Sequence, residues 1–296
     1  MKIRRKLTKS INRSYLWVVA ALLASVTLYG QAAEDITLAD PDKQSLPWEK
    51  GSIKIGGFFA AFNSELGFGV NDAEATLDAE DLLGLDSNLT VFRVEALFRP
   101  GASRRHQLDF SYASYDRDGS KTLSRDIIVN DMTIPAGTEI ESVFDFHIIR
   151  GTYSYAFLQG EKMRIALGLG IYAVPVRYGL SYETTEGRTA VHGGDTTLPL
   201  PAVALRGDFQ LLPKLFLGAA VDGMYLEVSD FKGWLADANL SLEYRPWKHF
   251  GFGVGYNALS VFVEVDDSSS NYPGADFVGT VDVHFNGVMF YGKFSF

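Results

Sequence analysis

Two Asp-x-His pairs carry the residue types best suited to chemistry, Asp145 with His147 and Asp282 with His284. A carboxylate beside an imidazole in a cleft can activate water by general base catalysis. The i, i+2 spacing puts both members of a pair on one face of a β-strand. If both strands turn that face inward, the pairs confront one another across a lumen. They are therefore the catalytic candidates, weighed against a plain role as hydrogen-bonded lumen residues. Other clusters are less specific. His192 and Asp195 share a loop and His106 and His249 flank turns, but no serine is marked by spacing or by a nucleophile-elbow motif. Glu65, Asp72, Glu74, Asp78, Glu80, Asp81 and Asp86 form an acidic run without Lys or Arg. Its spacing matches no EF-hand, so the expectation is solvated charge with no metal site, and no cofactor motif occurs.

The elements that must position these residues are strands. The last stretch, Phe277 to Phe296, alternates so that Val288, Phe290, Gly292, Phe294 and Phe296 share one face while Met289, Tyr291, Lys293 and Ser295 share the other. Hydrophobic residues make up 47% of the 296-residue chain, yet the longest uncharged run after the N-terminal region, Ile165 to Val176, is too short for a spanning helix of about 20 residues. Any crossing of a membrane falls to strands. There are no cysteines, which removes disulfide and thiolate chemistry.

The first 32 residues read as a signal peptide, with a basic start, an apolar run from Leu16 to Tyr29 and small residues at Gly30-Gln31-Ala32. A retained helical anchor is the alternative. This segment holds six of the 27 Lys and Arg and none of the 36 Asp and Glu, so the remainder carries 21 cations against 36 anions, a net charge of −15. That sign disfavours nucleic acid as a partner. Residues 33–50 form a polar periplasmic lead-in, and the barrel domain is expected over 51–296.

From Gly51 onward about ten alternating strands follow, eight or twelve being possible. Short turns at Pro100–Ser103, Leu158–Glu161, Leu212–Lys214 and Pro246–Lys248 alternate with mostly longer polar loops. The fold class is all-β, a transmembrane antiparallel up-and-down barrel. A soluble sandwich is the competing architecture. The strand 198–210 begins with Pro199 and Pro201, after a loop containing His192 and Asp195.

Lipid sets the faces, because a charge at the bilayer midplane costs about 2–4 kcal/mol in a barrel. Arg93, Glu95, Asp109, Asp145, His147, Arg150, Arg206, Asp208, Asp222, Asp237, Glu243, Asp282 and His284 are expected inside as a polar network. Two strands resist a single register. Phe144 and Phe146 differ in parity from Tyr153 and Tyr155, and Val283 and Phe285 from Phe290 and Phe294. Bulges at Ile148–Gly151 and Asn286–Gly287 would reconcile them and turn the Asp-x-His pairs inward. Gly168 and Gly170 face in, making room. Tyr112, Tyr153, Tyr155, Tyr178, Tyr182, Tyr225, Tyr244, Trp234 and Trp247 suit interfacial girdles. Ten strands imply a largely plugged lumen with at most a narrow pore. Leu82-Leu83-Gly84-Leu85, apolar amid acid residues, suits folding over the barrel mouth.

The runs Leu83-Gly84-Leu85-Asp86, Phe92-Arg93-Val94-Glu95, His106 to Asp109, Asp116-Arg117-Asp118-Gly119 and Thr122 to Ile127 resemble uncharacterised Gram-negative outer-membrane β-barrel proteins. The resemblance covers about a quarter of the chain and implies no assigned reaction. The terminal Phe296 is similar to those that assembly machinery reads in outer-membrane proteins generally. Omptin proteases resemble the expected architecture, ten strands with acidic residues and a histidine at the outer mouth, but their local motifs are absent and no residue is carried over. The expected role is structural, ligand-binding or narrow-pore, without catalysis, in the outer membrane among lipid and lipopolysaccharide. An omptin-like or lipid-modifying hydrolase is the alternative, and the ligand is open.

Overall fold

The computed structural model describes residues 47–67, 76–78, 85, 87–124, 126–129, 132–184, 187–265 and 279–296. The expected signal segment and most of the acidic run 65–86 lie outside them. Ten strands make the wall: β1 Gly51–Gly67, β2 Asn88–Phe98, β3 His106–Tyr115, β4 Glu139–Gln159, β5 Met163–Thr184, β6 Gly187–Leu212, β7 Leu215–Val228, β8 Phe231–Tyr244, β9 Phe250–Val265 and β10 Gly279–Ser295. Each pairs antiparallel with its neighbour, and β10 returns to β1 in continuous register from Ser52↔Ser295 to Gly67↔Thr280. The sheet is thus a closed ten-stranded barrel of the outer-membrane type, with no helix among the described residues. A short strand, Asp118–Thr122, prolongs β3 along β4, Thr76–Asp78 pairs with β1, and Ile127–Val129 with Met132–Ile134 forms a small hairpin at the loop end.

Alternation produces the two faces. On β5, Leu167, Leu169 and Ile171 are exposed outward, while Arg164, Ala166 and Tyr172 are buried inside. The same outward row continues around the barrel through Phe98, Phe110, Phe157, Phe252 and Phe290, giving an apolar belt beside the short turns. A water-facing surface would not retain a belt of this size. Inward glycines leave room for large partners: a Cβ on Gly253 would lie 2.5 Å from the Tyr291 ring.

The strands are longer than the belt. β4 has 21 residues, and at about 3.3 Å per residue and a tilt near 40° it rises roughly 50 Å, about twice the apolar band of a barrel. The loop-side half therefore stands clear of hydrocarbon. There the polarity of the two faces largely exchanges, with polar groups outside and mainly aromatic and aliphatic groups within.

This exchange corrects the two expected bulges. The β3–β4 register is constant from His106↔Tyr155 to Tyr115↔Phe146, and the β9–β10 register from Phe250↔Phe294 to Val265↔Gly279. Neither Ile148–Gly151 nor Asn286–Gly287 is bulged. Phe144, Phe146, Val283 and Phe285 are buried inside, so Asp145, His147, Asp282 and His284 point outward, contrary to expectation. A change of solvent along one uninterrupted strand mimics a change of register. Tyr178 and Tyr182 are corrected likewise: they pack on interior clusters instead of joining a girdle. Tyr153, Tyr155, Tyr225, Tyr244 and Trp247 do stand exposed outside.

The expected loop around His192 is also strand. β5 and β6 pair up to Gly187↔Thr184, with a register shift between Ala190 and His192. Pro199 and Pro201 consequently lie mid-strand. β6 keeps its ladder to β5 across both, whereas the β6–β7 ladder begins only at Val203↔Gly223. A proline nitrogen has no hydrogen to donate, so both fit where the partner strand is absent.

Candidate functional site

The short-turn half of the lumen holds two charge networks. In the first, Asp222 accepts from Arg150 at 3.1 Å and contacts Arg206 at 2.7 Å. The Tyr172 hydroxyl lies 2.7 Å from Asp222 and 3.0 Å from Asp237, and Asn257 Nδ2 donates to Asp237 at 2.6 Å. Arg93 donates to Asn257 at 3.2 Å and pairs with Glu95 at 2.9 Å. Buried ions of both signs satisfy one another here, which is the condition for tolerating them away from water.

The second network seals the short-turn mouth and is organised by the lead-in. Trp48 is 1% exposed, with its indole N–H donating to the Gly160 carbonyl at 3.0 Å. Glu49 turns into the barrel and meets Lys293 at 2.6 Å, Arg245 at 3.0 Å and Arg99 at 3.5 Å. Burial alone would raise the Glu49 carboxyl, but Lys293, Arg99 and Arg245 outweigh it and hold the group well below the usual carboxylate range. Glu243 bonds Lys293 at 3.0 Å and contacts Arg245. Arg99 and Arg164 converge on Asp208 at 3.0 and 3.4 Å, and Gln107 links them to Asp109. The cavity left between Trp48, Lys54, Arg99, Asp208, Phe216 and Glu243 measures about 50 Å³, room for one or two waters.

Above these networks the lumen is lined mainly by aromatic and aliphatic side chains, with the Arg117 side chain, 1% exposed, buried among them. Tyr115 and Phe146 stack with centroids 4.6 Å apart, Phe285 lies 4.9 Å from Tyr115, and Phe58 meets Phe285 edge-on at 5.9 Å. These rings come from β3, β4, β10 and β1 and meet across the interior. Leu85, 3% exposed, packs in the same cluster; Leu82, Leu83 and Gly84 lie outside the described residues.

The Asp-x-His pairs sit on the outer face just past the belt, and each histidine has a serine directly opposite it in register. His147 faces Ser114, with Nδ1 2.9 Å from Oγ, and stacks on Tyr112 at 5.9 Å. The Ser114 hydroxyl also reaches Asp116 at 3.2 Å, while Asp145 accepts from the Arg117 amide at 3.1 Å. His284 faces Ser260 at 2.6 Å through Nδ1, and its Nε2 lies 3.0 Å from Asp282. The two pairs lie on different sides of the barrel and do not confront one another.

The structure therefore brings Arg93, Glu95, Asp109, Arg150, Arg206, Asp208, Asp222, Asp237 and Glu243 into the lumen networks and leaves the four Asp-x-His residues outside. Sequence reasoning missed Glu49, Arg99, Arg164, Tyr172, Asn257 and Lys293 as network members, and Ser114 and Ser260 as histidine partners. Inward parity was signal enough for Lys293 and Arg99. The serines become visible only once register is known. The side chain of His192 lies outside the described residues; His106 stacks on Tyr153 and His249 Nδ1 contacts the Ser295 carbonyl at 2.8 Å, both beside the short turns.

No protein-family model and no curated protein matches the chain. Among solved structures it is similar to the outer membrane protease OmpT from Escherichia coli, with a TM-score of 0.50 and 9% identity over 87% of this chain and 100% of that one. The attachment invasion locus protein Ail of Yersinia pestis aligns at TM-score 0.33 and 10% identity, covering 84% of this chain and 100% of that one. The toluene transporter TodX of Pseudomonas putida aligns at 0.33 and 10%, covering 86% and 92%. At such identities the OmpT likeness speaks to the fold alone.

Proposed function

We propose that this chain is a bacterial outer-membrane barrel, exported by a signal peptide over residues 1–32, that acts at its outer surface in a structural or binding role and does not conduct solutes along its axis. The observation that carries the reading is the filled lumen. Two ionic networks and an aromatic cluster follow one another along the axis, and the cavity at the short-turn mouth is about 50 Å³. Hydrated ions need a continuous polar path, which the ring stack of Tyr115, Phe146 and Phe285 interrupts. The belt supports contact with lipid, the polar outer face above it contact with lipopolysaccharide, and the C-terminal strand ending in Phe296 recognition by the assembly machinery. In this orientation the short turns, the start of β1 and the end of β10 face the periplasm.

The test is conductance. Purified protein in planar bilayers at neutral pH is expected to stay silent, while the Glu49→Ala and Phe146→Ala double variant, which empties the mouth and thins the ring stack, should conduct more readily. Discrete steps from the wild-type protein would overturn the sealed-barrel reading.

A further inference from the structure

The cluster of Ser260, His284 and Asp282 has a feature that lumen packing and membrane anchoring do not require. The three are in line. Ser260 Oγ stands 2.6 Å from Nδ1 of the imidazole, and Asp282 Oδ1 stands 3.0 Å from Nε2 on its far side. Asp282 Oδ1 is buried and makes no hydrogen bond elsewhere among the described residues. With the proton on Nε2, the ring is free to accept the serine proton at Nδ1 and to hold the resulting positive charge against the carboxylate. These are the roles of nucleophile, base and orienting acid. The ring nitrogens are exchanged relative to the common arrangement, which alters neither proton transfer nor charge compensation.

The second Asp-x-His pair is an internal comparison. Its spacing and its cross-strand serine are the same, but the carboxylate is diverted: Asp145 accepts from the Arg117 backbone amide. Of the two, the cluster on β9 and β10 alone forms a serine–histidine–carboxylate line.

Location supplies the substrate class. On β10 the outward row runs Phe294, Phe290 and Val288, all exposed in the belt, and then continues through Asn286 to His284. The cluster therefore lies two to three outward positions beyond Val288, the last exposed apolar residue of this row, on the headgroup side of the belt where the acyl esters of a lipid approach the surface. Trp234 flanks it, with ring centroids 6.3 Å from His284, and tryptophan favours this interfacial layer.

We propose that Ser260, His284 and Asp282 form an outward-facing ester-cleaving centre that acts on acyl esters of outer-leaflet lipids. Ser260 Oγ adds to the ester carbonyl carbon as His284 takes its proton. The carbon–oxygen bond to the lipid alcohol breaks, and that oxygen leaves with the proton from His284. Water, deprotonated by the same nitrogen, then releases the fatty acid and restores Ser260. Two features set the rate. Ser260 is 1% exposed, against 23% and 22% for the side chains of His284 and Asp282, so the His284 or Trp234 ring must move for substrate to reach Oγ. β8, β9 and β10 are continuously paired here, so backbone N–H groups are committed to ladders and the oxyanion depends on side chains or water. Turnover is therefore slow, and covalent labelling is the more sensitive readout.

The proposal depends on the outward direction of these residues and not on the sealed lumen, so conductance and labelling fail separately. Full-length protein folded in detergent is treated with a fluorophosphonate probe and, in parallel, with phosphatidylethanolamine vesicles in which released fatty acid is measured. Wild type should label and release fatty acid; Ser260→Ala should lose both. Asp282→Asn and His284→Gln should label roughly 100-fold more slowly while keeping the wild-type heat-modifiable gel shift. Ser114→Ala should match wild type. Wild-type protein that neither labels nor releases fatty acid, or Ser260→Ala that labels as wild type does, would overturn the proposal.

Discussion

On β4 one outward row carries Tyr153, Tyr155 and Phe157 toward the short turns and Asp145 and His147 toward the loops, while the inward row carries Arg150, Thr152 and Ser154 and then Phe146 and Phe144. The strand is the same throughout, and its register against β3 is constant from Phe146 to Tyr155, across the point where the faces exchange. Only the surroundings differ. In the belt half, lipid requires an apolar exterior and leaves the interior to be filled by paired ions. In the other half, water faces the outside and the interior is filled mainly by aromatic and aliphatic side chains, with Arg117 buried among them. The barrel is thus two differently stabilised modules threaded by the same strands.

If that division is correct, substitutions in the two halves should differ in size and in salt dependence. The largest effect is expected at Asp222→Ala, which strands Arg150 and Arg206 in the interior and should cost about 3–5 kcal/mol. The urea midpoint of the gel shift measures it. Phe146→Ala, in the other half, removes a stacked ring and should cost about 3 kcal/mol with no change in salt dependence. An equal salt response in both variants would erase the distinction. Leu169→Arg puts a charge in the belt and should cost about 2–4 kcal/mol, read as lost insertion into bilayers. Eight positions further along the same strand and face, Arg177→Ala should stay within about 0.5 kcal/mol.

Acid titration sharpens the division further. Because the Glu49 carboxyl is held below its ordinary value of 4.5, the stability it contributes is fully present above that value and lost as pH falls through the depressed folded-state value. Glu49→Gln should remove this acid-sensitive component. A wild-type profile in the variant would mean that the mouth network contributes nothing measurable.

Much of the belt half was legible in the sequence. Alternation such as Phe92, Val94, Ala96 and Phe98 against Arg93, Glu95 and Arg99 marks a strand with one apolar and one charged face, and the structure agrees. The loop half was not, because alternation reports which residues share a face but not what that face touches. Phe144 and Phe146 were therefore referred to lipid, and Asp145 and His147 to the lumen, by a rule valid only inside the bilayer. The partners of the histidines depended on cross-strand register, which no spacing within one segment reveals. Glu49 was hidden for a different reason: it lies in an aperiodic stretch, where nothing signals that the chain turns inward.

The seating of Glu49 also has a temporal side. Its three cations come from the end of β2, from just past β8 and from β10, and Lys293 lies 244 residues away in the chain. That binding place does not exist until the final strand has joined the first. The segment that begins the barrel is therefore expected to settle last, its docking requiring that the circuit of strands is complete. A chain stalled before β10 would leave Trp48 and Glu49 open to a periplasmic protease, and the finished barrel would not.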